Sequence, residues 1–218
     1  MAALVKKSLV DQIYEQLRKD IINQKIGWGE KLNVSELQER FEISCTPIRE
    51  AINRLQKEGL VEYKNNIGAS VIEIGEQDVV EIQQVASVLD FAAIKYAMKA
   101  GDSKQIAEEL SLHIKNYQQA KDEITRSRCI EEFTDVFYKY AHNSRLVSMA
   151  QLIKGQQSML RSTYGKEKKG HSNMDDHIKI YNAVLLGDVD AAVKAMEKNY
   201  KKGTETLLLA FAKKDKKH

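Results

Sequence analysis

Proline is almost missing from this chain of 218 residues; Pro47 is the only one. Proline removes a backbone N–H and clashes with the preceding turn, so a chain that avoids it and favours Ala, Leu, Ile, Lys, Glu and Gln is expected to be mostly helical. Cysteine is scarce too. Cys45 and Cys129 make neither a disulfide framework nor a metal-binding spacing, so the expectation is reduced thiols in a cytoplasmic protein. No apolar run approaches the roughly 20 residues needed to cross a bilayer. The opening MAALVKKSLV turns polar too soon for a secretory signal, and no membrane partner is expected. Catalytic signatures are lacking as well. No GxSxG elbow, HExxH pair, phosphate-binding loop or dinucleotide-type glycine run occurs, and five scattered histidines need no catalytic explanation; the chain does not read as an enzyme.

Charge of one sign is also missing. Residues 1–74 hold 11 Lys and Arg against 11 Asp and Glu, and the remainder holds 23 against 20, which gives the net +3 of the whole. A broad basic footprint for nucleic acid is therefore excluded, and any such function must rest on where charges stand. What is present is a 43% hydrophobic, 30% charged composition, ample for a packed core.

The apolar spacing reads as helices joined by short punctuated turns. Val10, Ile13, Tyr14, Leu17 and Ile21 mark a first stripe, with Ser8 and Asp11 placed as a capping box. Gly27-Trp28-Gly29 is a turn, and Lys31 and Leu32 suit a short strand. Asn33 caps a second helix from Val34 to Phe41, with Glu36 at its third position. After the turn Glu42-Ile43-Ser44, a third helix runs to Glu58. Ile48, Ala51, Ile52 and Leu55 face inward, and Gly59 stops the helix. Leu60–Lys64 and Ala69–Ile74 then read as strands of a hairpin through Asn65-Asn66-Ile67-Gly68. Beyond Gly75 only helical signals remain: six helices, the fourth from Leu146 to Tyr164 with a break expected near Gly155. Gly165–Asn173 reads as a polar loop and KKDKKH as a frayed end.

The fold expected is therefore mainly α: an N-terminal winged helix-turn-helix over 1–75, an all-α helical bundle over 76–212, and a basic tail over 213–218. In a helix-turn-helix the second helix of the pair enters the major groove. Its outward face here carries Thr46, Arg49 and Asn53. Arg can read guanine, Asn can read adenine, and Thr can hold a phosphate or touch a thymine methyl. Glu50 and Arg54 stand i, i+4 and are expected to pair.

The stretch LNVSELQERFEISCTPIREAINRLQKEGLVEYKNNIGASV, with TPIREA followed by RLQKEGLV, resembles the DNA-binding domain of the GntR family of bacterial transcriptional regulators. EEFTDVFYKYAHNSRL and DDHIKIYNAVLLGDVDAAVKAM resemble the all-helical effector (FCD-type) domain of its FadR-like subfamily. The resemblance implies a ligand-responsive repressor that binds a palindromic operator in double-stranded DNA as a homodimer. A small metabolite, often a carboxylate, would bind the helical domain. Arg49 and Thr46 match the family pattern, as does Gly68 of the wing. Ser35 and Cys45 stand where the family usually has arginines, and Asn65 and Asn66 replace a proline-containing wing start. Those departures imply a different operator or weaker binding.

The same resemblance bears on the helical domain. Many members hold a metal with an aspartate and three histidines; the matching positions are Ile130, Thr134, His177 and Asn199. Only His177 remains, so neither a metal nor a cofactor is expected. An arginine that often meets the ligand carboxylate aligns with Ala86. The expected effector site is metal-free, with Thr134, Tyr138, His177 and Asn199, joined by Arg161 and Tyr164 of the fourth helix. The alternative is that these groups satisfy one another in a filled core. A loop metal site from His171, Asp175, Asp176 and His177 is the weaker reading of HSNMDDH, which serves equally as a polar loop and a capped helix. Two further alternatives stand beside the regulator: a helical adaptor that retains a winged domain, and a thiol-responsive regulator acting through Cys45 at a helix N-terminus.

Overall fold

The computed structural model describes residues 7–164 and 174–215. The expected loop 165–173, with His171, and residues 216–218 lie outside them. Nine helices and two strands are present among the described residues: α1 (Leu9–Ile22), α2 (Val34–Phe41), α3 (Cys45–Lys57), β1 (Val61–Lys64), β2 (Gly68–Val71), α4 (Glu76–Ala100), α5 (Ser103–Gln119), α6 (Glu123–Tyr140), α7 (Ser144–Tyr164), α8 (Asp175–Leu185) and α9 (Val189–Asp215). They group into two units. One takes Met1–Gly75 with Gln151–Thr163, the other Glu76–Ala150 with Tyr164–His218.

In the first unit α1 packs on α3, and α2 and β1 also lean on α3. Leu17 and Ile21 of α1 and Ile48, Ile52 and Leu55 of α3 are all fully buried. Burial of each such side chain contributes about 1.5–3 kcal/mol before entropy is counted. The caps follow the sequence. Ser8 and Asp11 close a reciprocal capping box. Asn33 accepts from the Ser35 N–H and donates through Nδ2 to Glu36 at 2.8 Å, so that box closes between side chains. Gly59, at φ +71°, ends α3 with two reversed bonds, its own N–H to Gln56 and that of Leu60 to Leu55. Lys31 forms only a single bridge to Ser70 instead of a strand, because Leu32 leads at once into the α2 cap.

α7 is one unbroken helix, contrary to the break expected at Gly155. The glycine answers a different need. A Cβ there would stand 2.7 Å from a Glu58 carboxylate oxygen, so close approach and not a kink selects it. Beside it, Gln156 Nε2 donates to the Gly59 carbonyl at 3.1 Å.

In the second unit α4 packs on α6 and α9, α5 on α6 and α8, and α8 on α9. Ile94, Leu110, Phe133, Phe137, Ile180 and Met196 form the centre of its core. Gly187, at φ +69°, turns the chain between α8 and α9, and Asp188 caps α9 by accepting from the Ala191 N–H.

Candidate nucleic-acid interface

α3 is built to hold one face in and offer the other. Ile48, Ala51, Ile52 and Leu55 are wholly buried, which leaves Cys45, Thr46, Arg49, Glu50 and Asn53 exposed on the opposite side. Pro47 is the third residue of the helix. Its missing N–H is an orphan at that place anyway. It also explains the bare cap: Ser44 has the extended N-cap backbone but makes no side-chain cap bond, and the third residue has no N–H to offer it. Among the described residues Arg49 has no acidic partner, so its guanidinium is free for an external acceptor.

Arg54 is not held by Glu50 as the spacing suggested. Its Nη1 donates to Asp11 Oδ1 at 2.5 Å, which ties α3 to the cap of α1. Bonds from Ser8 and then Arg54 hold the Asp11 carboxyl down at about 2. Arg40 and Gln16 likewise converge on the fully buried Asp20. Arg54 and Arg40 are thus engaged internally, as is Arg18 with Glu58. Ser35 stays exposed on the first turn of α2.

The wing pairs Val61 with Val71 through Lys64 with Gly68. Asn65, Asn66 and Ile67 form its exposed tip, with Asn66 at φ +65° and Gly68 at +92°. Lys64 lies 3.0 Å from Glu62 and 3.7 Å from Glu73, so its charge is partly balanced. Tyr63, half exposed, donates its hydroxyl to Asn53 Oδ1 at 3.2 Å and joins the wing to α3.

A helix with one free arginine at its outward N-terminal end, flanked by a two-stranded wing, is the arrangement that reads a DNA groove. Residues 9–71 match bacterial regulatory proteins of the gntR family, and residues 81–201 match the FCD domain. The chain belongs to the gntR family.

Its gntR relatives include the HTH-type transcriptional regulator YdhC of Bacillus subtilis, 24% identical over 83% of each chain. The HTH-type transcriptional repressor RspR of Escherichia coli is 24% identical over 90% of this chain and 87% of its own. Among solved structures, E. coli McbR/YncC superposes with a TM-score of 0.80 at 18% identity over 94% of this chain and all of that one. A putative GntR regulator from Rhodococcus gives 0.74 at 19% identity over 93% and 98%. These likenesses establish the fold, and the family makes the chain a DNA-binding transcriptional regulator with an FCD domain.

The residues proposed for an effector divide between the units. Thr134, Tyr138, His177 and Asn199 lie in the second unit, whereas Arg161 lies in the first and donates to Gln157 at 3.3 Å. The Tyr164 side chain lies outside the description. Thr134 bonds the carbonyl of Ile130 on its own helix. His177 is buried with its ring edge-on to Phe133 at 5.1 Å, and Asn199 is half-buried. Tyr138 is buried and donates to Asp90 at 2.6 Å; burial and then the Asp90 charge push its hydroxyl pKa well up. Tyr200 donates to the other Asp90 oxygen at 2.6 Å. Among the described residues no group of three His, Cys, Asp and Glu could hold a metal ion. Both cysteines are free, Cys45 exposed and Cys129 buried.

Sequence reasoning missed Asp90 and Tyr200. The available signal was register: Asp90 falls on the α4 stripe of Val79, Ile82, Ala86, Ala93, Ile94 and Ala97, where a carboxylate must find donors.

Proposed function

We propose that this regulator binds a palindromic operator as a dimer, with α3 in the major groove and the wing beside it, and that a small metabolite bound in the helical unit alters its hold on DNA. The observation that carries the reading is Arg49, exposed on the outward face of α3 between Thr46 and Asn53 with no described acid on it. Because residues 1–74 carry no net charge, affinity rests on a few placed groups, and it falls with salt at a slope set by the few phosphates they neutralise.

Dimerisation is supported by α4, which is apolar on both sides: its inner stripe is buried, while Val85, Val88 and Tyr96 remain about half exposed or more. The effector reading rests on buried polar groups in the second unit, Tyr138 and His177 with Asp90 beside Tyr138. An acid at that depth, and Ala86 at the position where the family resemblance implies an arginine, favour an uncharged or amine-bearing metabolite over a bare carboxylate. A repressor role agrees with the name of RspR.

The test is a gel shift of the full-length protein on the DNA upstream of its own gene across a salt series, repeated after a thermal-shift screen of metabolites. Salt-dependent, sequence-selective binding that a stabilising metabolite alters is expected. Absence of sequence-selective binding would instead favour the adaptor reading.

A further inference from the structure

The Tyr63 hydroxyl does more than tie the wing to α3. It donates to Asn53 Oδ1, and so turns the Asn53 carboxamide about its own axis. The acceptor end of the amide faces the wing, and the Nδ2 end, with two N–H donors, faces away. Asn53 is exposed one turn beyond Arg49 on the same side of α3, so its amide belongs to the face offered to DNA. Which end points outward decides what it can read. An asparagine reads adenine by accepting from N6 and donating to N7 at once. An amide that leads with Nδ2 can donate to both O6 and N7 of guanine, or to O4 of thymine, whereas on adenine it finds N7 alone and leaves the N6 donor without its acceptor.

We infer that Tyr63 is a specificity-determining positioning residue, which orients Asn53 to read a guanine or thymine edge rather than adenine. This rests on the docking of α3 in the major groove proposed above. Read from α3 alone, Asn53 takes its usual adenine partner, because Tyr63 stands ten positions away on β1 and periodicity does not bring the two together. Tyr63 is half exposed, so loss of its hydroxyl leaves the core of the unit intact.

The experiment is selection from a pool of duplexes with a randomised central segment, using full-length wild type, Tyr63→Phe and Asn53→Ala, each first shown by thermal melting to be folded. Wild type is expected to enrich a motif. Asn53→Ala should lose preference at one base pair of each half-site, and that pair should be guanine or thymine on the contacted strand. Tyr63→Phe frees the amide to turn, and should raise adenine at that same pair about fivefold or more relative to wild type. A Tyr63→Phe motif identical to wild type overturns the inference, as does uniform weakening across all sequences or an adenine at the Asn53 pair in wild type. Wild type enriching no motif at all would sink the operator reading itself.

Discussion

The carboxylate of Glu58 occupies the space that a side chain at Gly155 would need. Oε1 lies 2.7 Å, and Cγ 3.0 Å, from where a Cβ would stand. Glu58 cannot easily swing aside, because Tyr14 donates to one oxygen at 2.6 Å and Arg18 to the other at 2.7 Å. Burial and the Glu58 bond push the Tyr14 hydroxyl up to about 12, so it remains a donor throughout the physiological range. Gly155→Ala should therefore destabilise the protein even though alanine is the better helix former. Overpacking costs about 1–3 kcal/mol and propensity returns about 1. Glu58→Ala should remove most of the penalty of the second change, so a double-mutant cycle in urea should be strongly non-additive. Additive effects would mean the two residues do not share this contact.

Arg49→Ala should cost more DNA affinity than any other single truncation within residues 1–74. A bidentate base contact is worth about 1–3 kcal/mol, or roughly 5- to 150-fold. Arg54→Ala should cost less, since Arg54 is already engaged by Asp11. Titrations by fluorescence anisotropy on one operator duplex would rank the two. Near-normal binding by Arg49→Ala would refute the docking of α3.

Most helices were legible because their limits are set by local chemistry. Ser8 with Asp11, Asn33, Gly59 and Asp188 act on their own turns, and the apolar period does the rest. What was hidden depends on partners distant in sequence. Arg54 prefers Asp11, 43 residues away, to Glu50 one turn away. Gly155 looked like a helix breaker because its neighbour Glu58 is invisible to periodicity. Asp90 drew no notice in the sequence, although its register puts it among the buried positions of α4. The DNA face was the more readable site, since exposed positions on one helix follow directly from its buried stripe. The effector residues were not, because depth in a bundle depends on the packing of several helices at once.

Asp90 and Tyr138 give a stability prediction of their own. The carboxylate is buried and takes a bond from a buried tyrosine. Hydrogen bonds to charged groups are worth about 1.5–3 kcal/mol, and a buried acceptor robbed of its donor costs a similar amount. Tyr138→Phe should lower stability by about 2 kcal/mol. Tyr200→Phe should cost less, because Tyr200 is only half-buried and water can replace it. Urea unfolding of the two variants checks the order. Equal stability of wild type and Tyr138→Phe would show that the bond contributes nothing net.

Asp176 predicts an acid-dependent loss. It is nearly buried at the start of α8 and accepts from Lys179 at 2.7 Å and from Lys202 of α9 at 2.6 Å. Burial alone would raise its pKa, but the bonds from Lys179 and then Lys202 outweigh it and hold the carboxyl below the usual range. A pKa lowered by folding means that the folded state favours the charged form. The stabilisation is therefore complete above the unfolded value of about 4 and disappears as pH falls through the lower folded value. Asp176→Asn should melt below wild type at neutral pH, and the difference should stay constant down to about pH 5. Below that it should shrink, because the wild-type carboxyl is itself being neutralised. Thermal melts of both proteins over this range provide the measurement. A difference that does not narrow at the acid end would show that the asparagine acts through packing and not through the lost charge.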